Sequence, residues 1–160
     1  MKNFAVAAVA LAASAMSTAS LAQALPTTKV CVGDAATPIT VEIAATNDAR
    51  AKGLMQRAFL PQHEGMWFQY PSERPGYNGF WMFRTLIPLD IAFIDSNNQI
   101  VRILQMQPCE SMNPSECPSY RPGVNYYSAL EVPLDYFAEQ GIKVGDKIRE
   151  TNVDCNKESS

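Results

Sequence analysis

Residues 79–93, GFWMFRTLIPLDIAF, constrain this chain more than any other stretch. Phe80, Trp81, Met82 and Phe83 open an apolar run that resumes with Leu89, Ile91 and Phe93. Pro88 stands inside it, and an interior strand proline forfeits a ladder hydrogen bond, so the run reads as two strands broken near Pro88. The next segment, AFIDSNNQIVRILQM (92–106), joins two apolar runs through Ser96–Gln99 and predicts a hairpin. Arg84, Thr85 and Asp90 interrupt what would otherwise be core sequence, and a buried charge is tolerated only when paired and hydrogen-bonded.

The same reading extends along the chain. KVCV and ITVEIAA are β-branched runs separated by a GDAATP turn. TNDARAKGLMQRAF predicts a helix capped at Thr46 or Asn47 and ended at the latest by Pro61. GMWFQY and NYYSALEV are strand-like, PLDYFAEQGI predicts a short helix with Pro133 near its first turn, and the chain turns at Gly145-Asp146 into a closing strand. Seven to nine short strands with one or two short helices imply a mainly β fold, either a jelly-roll-like β-sandwich or a partly open barrel. There are no repeats and no linker, so residues 25–155 are expected to form one domain, followed by a disordered tail at 156–160.

Residues 1–24 read differently. Lys2, an alanine-rich apolar segment and Ala22-Gln23-Ala24 have the order of a cleaved secretory signal. The apolar part is short for a membrane span of about 20 residues. Removal of these 24 of the 160 residues leaves 136 and changes the formal charge from −3 to −4. A periplasmic or secreted protein is expected, with no membrane span. Its scattered basic residues make nucleic acid an unsuitable partner.

Cys31, Cys109, Cys117 and Cys155 suit an oxidising compartment, and an even count implies two disulfides. The favoured pairing is Cys109–Cys117, closing a loop rich in Pro108, Pro114 and Pro118, with Cys31–Cys155 tying the first strand to the last. No C-x-x-C pair and no zinc spacing occur.

Serine-hydrolase, zincin and phosphate-loop signatures are absent from the sequence, and catalytic residues are not identifiable. His63, the single histidine, is expected to be a solvated turn residue. Arg50, Arg57, Arg84, Thr85 and Asp90 among aromatic residues allow two readings. One is a structural Arg–Asp pair closing an end of the fold. The other is a cleft in which guanidinium groups grip a small anionic or sugar ligand while Trp81 supplies an apolar wall. A carbohydrate-active hydrolase or lyase would need paired carboxylates among Asp90, Asp95 and Glu131. An envelope protein binding partners through Tyr126 and Tyr127 is a third possibility. Met55, Met66 and Met82 could hold Cu(I), but methionine is more often adaptable core filler, so no metal or cofactor is expected.

ARAKGLMQR (49–57), GMWF (65–68), FWMFRTLIPLDIAFID (80–95), LEV (130–132) and GIKVGDKI (141–148) together resemble the hallmark blocks of the domain-of-unknown-function 192 family, in its order. The resemblance spans about residues 39 to 150. It implies a small, mainly β sandwich of jelly-roll type, often exported in bacteria, with no established activity. It also implies characteristic polar positions at Arg50, Arg57, Thr85 and Asp90, with Trp81 and Met82 as bulky partners. Phe83-Arg84 stands where the family usually carries Lys-Asn, so Arg84 would have to supply that contribution from the neighbouring position. The loop from Pro108 to Pro122 and the four cysteines look like local additions.

Overall fold

The structure is a computed structural model and describes residues 24–157. The leader expected at 1–24 (Ala24 apart) and the end of the tail beyond residue 157 lie outside the described residues.

Nine strands form among the described residues: β1 (Thr27–Val32), β2 (Ile39–Ala44), β3 (Glu64–Arg74), β4 (Phe80–Trp81), β5 (Leu89–Ile94), β6 (Ile100–Met106), β7 (Ser119–Tyr120), β8 (Tyr126–Pro133) and β9 (Ile148–Thr151). Two short α-helices, α1 (Asn47–Lys52) and α2 (Tyr136–Glu139), accompany them, with 3-10 turns at Pro114–Glu116 and Cys155–Lys157. Seven strands make one sheet in the order β6-β5-β8-β3-β2-β1-β9, and β4 pairs with β7 in a separate ribbon. All pairings in the large sheet are antiparallel except β2 with β3, where the connection through α1 provides the crossover a parallel pair requires.

The sheet curls until its two edges meet at one end. The Asn98 carbonyl accepts from Ile148 N at 2.9 Å, Ile100 N donates to the Asp146 carbonyl at 2.8 Å, and Gln99 bridges Lys147. Of the two expected mainly β architectures, the partly open barrel is the one formed.

Both faces of the sheet are covered. The inner face packs Val30, Val41, Trp67, Ala92, Leu130 and Val132 under Tyr136 and Phe137 of α2. The outer face packs Met66, Phe68, Ile91, Phe93 and Ala129 under Leu54, Leu60 and Met82. Every residue of β5 is therefore buried, and its sequence shows a continuous apolar run instead of alternation. Close packing at the centre needs Gly65, where a Cβ would stand 2.5 Å from the Glu131 carbonyl oxygen.

Two local expectations change. The first helix stops at Lys52, because Gly53 takes φ 49° and ends it after Thr46 has capped its start through Ala49 N at 3.2 Å. Pro133 belongs to β8, and α2 begins only after Asp135, itself at φ 66°. Pro88 does separate β4 from β5, although only Phe80 and Trp81 of the first run are strand. Both disulfides form as paired in the sequence reading, Cys31–Cys155 and Cys109–Cys117. No described helix is long and apolar enough to cross a membrane.

Candidate functional site

Glu131 occupies the middle of β8, opposite Met66 of β3 and Ile91 of β5. Directly opposed residues share a face, so its carboxyl projects among the apolar side chains of the outer cluster. The residue is 4 % exposed, and no described residue donates a hydrogen bond to its carboxyl or forms an ion pair with it. Burial alone pushes its pKa up to about 8, because the charged form would be stranded without water. Below that pH the group is an uncharged carboxylic acid, able to donate one hydrogen bond and accept others.

The carboxyl faces a small cavity. Arg50, Leu54 and Met55 form its roof, Phe68, Phe80 and Trp81 its walls, and Thr85 a polar edge. Its free volume of about 30 Å³ holds little more than a water molecule. Each wall follows from local structure. The turn at Gly53 drops Leu54 onto the sheet, and a Cβ at Gly53 would already stand 3.4 Å from the Phe68 ring. The β4–β7 ribbon turns Phe80 inward, edge-on to Phe68 at 5.0 Å and Phe93 at 5.7 Å. It leaves Trp81 46 % exposed at the rim, beside Phe83. Thr85 is buried, and its N–H donates to the Met82 carbonyl at 3.0 Å.

Thr85 also borders a wider trough of about 710 Å³, lined by Gln56, Arg84, Leu86, Cys109, Glu110 and Met112 among others. Arg84 has φ 57°, and its carbonyl accepts from Gln56 N at 2.7 Å, tying the turn after β4 to the turn after α1. Its exposed guanidinium lies over the Phe83 ring at 5.1 Å.

The six expected site residues thus separate. Arg50, Trp81 and Thr85 join Glu131, and Arg84 borders the adjoining trough. Arg57 points to the other side of α1, where Nη1 and Nη2 donate to the two Glu42 carboxylate oxygens at 2.5 and 2.8 Å. Glu42 holds the Arg57 pKa above its usual value. Asp90 sits on the inner face, where Oδ2 accepts from Phe137 N at 3.3 Å and Oδ1 finds no partner. The Arg–Asp pair expected as a structural closure does not form between these residues; Arg57 pairs with Glu42 instead. Asp90 is itself buried.

Other expectations are corrected in the same way. Asp95 caps the hairpin turn, accepting from Asn97 N at 2.8 Å and Gln99 N at 2.9 Å, so Asp90, Asp95 and Glu131 occupy three separate places and form no carboxylate pair. Tyr126 is buried in the outer cluster, and only Tyr127 of the expected aromatic patch reaches solvent. His63 is half-buried, with Nδ1 3.1 Å from the Tyr136 hydroxyl. Met66 and Met82 are core residues, and Met55 lines the Glu131 cavity. Among the described residues there is no His/Cys/Asp/Glu group suited to a metal.

Sequence reasoning underweighted two acids. Glu131 entered only as half of a carboxylate pair, and Glu42 not at all. Both had a visible signal, since each is a lone charge within a run of strand-forming residues, SALEV and ITVEIAA.

The profile of the family DUF192, described as uncharacterized ACR, matches residues 28–150. Two solved structures are similar. A Sinorhizobium meliloti 1021 protein, named provisionally as a transcription regulator, superposes with a TM-score of 0.69 at 26 % identity, covering 80 % of this chain and 96 % of its own. A protein of unknown function from Novosphingobium aromaticivorans DSM 12444 superposes with a TM-score of 0.61 at 30 % identity, covering 89 % of this chain and 94 % of its own. No curated protein matches the chain. With the profile spanning most of its length, the chain belongs to the DUF192 family.

Proposed function

We propose that this DUF192 member is a non-enzymatic binding module for a small organic ligand, such as a sugar, recognised through a hydroxyl or carbonyl oxygen at Glu131. One observation carries the reading: a fully buried carboxyl with no protein partner faces a cavity between Trp81 and Thr85. Leaving such a group unsatisfied costs about 1–3 kcal/mol, which a ligand oxygen would recover. As an uncharged acid, Glu131 suits a neutral polar group better than a cation, and Arg50 at the roof disfavours cations further. Trp81 offers the flat apolar face on which a sugar ring stacks. The small cavity admits only a single polar group, so the ligand's body would rest in the trough beside Thr85, Arg84 and Leu86.

A transcriptional role, as in the provisional name of the Sinorhizobium protein, gains no support from a chain of formal charge −3. An exported location is part of the proposal. Two disulfides support it, and the intact mass of protein recovered from its native host should correspond to a chain beginning at Leu25.

Saturation-transfer NMR against a panel of neutral sugars and amides tests the binding reading. Binders should be found, and E131L and W81A should each weaken them by about tenfold or more, the worth of one buried hydrogen bond or stacking contact. Ligands that bind both variants as they bind the wild type would exclude this site.

A further inference from the structure

A second site lies on the far side of Arg50. Strand β3 pairs with β8 up to Gln69, opposite Ser128, and pairs again at Arg74, opposite Tyr126. Between these rungs Tyr70, Pro71, Ser72 and Glu73 stand against the single residue Tyr127. Such bulges re-aim side chains and are common beside functional sites. Here the bulge brings Tyr70, Ser72 and Arg74 around a pocket of about 360 Å³ whose opposite wall is Asn47 and Arg50 of α1.

Two guanidinium groups converge on this pocket. Arg50 Cζ lies 4.9 Å, and Arg74 Cζ 5.0 Å, from the centroid of the same Tyr70 ring. No described carboxylate lies within ion-pair distance of either, and the nearby Glu73 accepts from Asn125 instead. Like charges placed together without a counter-charge repel each other, and an anion between them turns that repulsion into attraction.

The donors are also unspent. Arg50 Nη1 donates to the Ala45 and Gln69 carbonyls at 2.5 and 2.7 Å, and Nη2 to Asn47 Oδ1 at 2.6 Å. A guanidinium has five N–H groups, so the Nε–H and one Nη2–H of Arg50 remain. Arg74 Nε is buried and has no acceptor. With its Oδ1 held by Arg50, Asn47 still has its amide Nδ2 to donate, and Ser72 adds a hydroxyl.

We propose that the pocket between Arg50 and Arg74 is an oxyanion site for a tetrahedral phosphate-type dianion, free or esterified. Two guanidinium groups with unspent N–H donors match the several acceptor oxygens of such an anion, and they hold it by charge-assisted hydrogen bonds. Arg50 is fixed by three contacts and is a preorganised wall, whereas Arg74, beside the Tyr126 hydroxyl, is the arm whose Nε–H lacks an acceptor. The site is independent of the Glu131 reading, and E131Q should bind phosphate as the wild type does.

The test is a titration of the purified protein with inorganic phosphate at constant ionic strength, with chloride as the balancing salt, following the arginine Nε–Hε NMR signals. Saturable movement of the Arg50 and Arg74 signals, with the exposed Arg102 signal still, is expected. R74Q removes the guanidinium beside the Tyr126 hydroxyl and the Tyr70 ring but leaves a polar amide there, so the fold should persist while phosphate binding weakens by about tenfold or more. Glycerol phosphate separates the sources: tighter binding than inorganic phosphate indicates an esterified group, and weaker binding indicates the free anion. If the Arg74 signal does not move in the wild type, or if R74Q binds phosphate as tightly, the site does not exist.

Discussion

Asp90 and Glu131 sit one rung apart on the neighbouring strands β5 and β8 and face opposite sides of the sheet. Asp90 opposes Val132 on the inner face, and Glu131 opposes Ile91 on the outer face. A single step along a strand therefore separates two buried acids into two environments, one under α2 and one beneath Trp81 and Leu54. This parity keeps the two carboxyls from sharing one groove and leaves Glu131 without Asp90 in its cavity.

The isolation of Glu131 fixes how stability depends on pH. In the unfolded chain it ionises near 4.5, and in the fold at about 8. Between those values the folded state keeps a proton that the unfolded state has lost. Stability from this group is intact below pH 4.5 and falls by about 1.4 kcal/mol per pH unit as pH rises toward 8. E131Q should lose that slope and be more stable than wild type near pH 8, as urea denaturation at several pH values would reveal. Parallel wild-type and E131Q profiles would contradict it.

Asp90 should behave similarly but without consequence for binding. Burial raises its pKa, so its ionisation in the unfolded chain also draws stability away as pH rises above 3.8. D90N keeps an oxygen for Phe137 N–H and should raise the denaturation midpoint near neutral pH while leaving ligand affinity unchanged. Loss of binding in a folded D90N protein would place Asp90 in the site after all.

Arg57 and Glu42 are both partly exposed, so their bidentate pair should contribute about 1 kcal/mol or less. A double-mutant cycle of R57A and E42A should give a coupling of that size, with sugar binding intact in R57A. An R57A protein that folds but no longer binds would return Arg57 to the ligand site.

The Cys31–Cys155 disulfide spans 124 residues and joins β1 to the turn after β9, at an edge of the sheet. Replacing both cysteines by serine should cost about 2–5 kcal/mol, mainly because the unfolded chain gains freedom. Thermal denaturation of the double variant checks this, and an unchanged Tm would show that the bridge adds nothing to the fold.

Much of the fold was legible because it rests on local rules. Pro88 marked the break between β4 and β5, Ser96–Gln99 marked the hairpin, and the cysteine spacing suggested both bridges. What escaped was non-local. That β2 runs parallel to β3, or that Tyr70–Glu73 bulge out of register, depends on which strands meet, and local patterning does not encode that. The site was half legible for the same reason. Arg50, Trp81 and Thr85 were recognisable as polar or bulky interruptions, but their convergence on Glu131 required the turn at Gly53 and the β4–β7 ribbon. Asp90 and Arg84 looked like partners because they are close in sequence, yet Asp90 enters the core while Arg84 stays exposed.

The most direct measurement is the carboxyl titration of Glu131, followed by carbon-detected NMR of the side chain and assigned by comparison with E131Q. The account requires a midpoint at about 8, the mark of a buried acid that stays uncharged at neutral pH. A midpoint near the ordinary 4.5 would mean a hydrated, charged carboxylate, and the binding site built around Glu131 would fall with it.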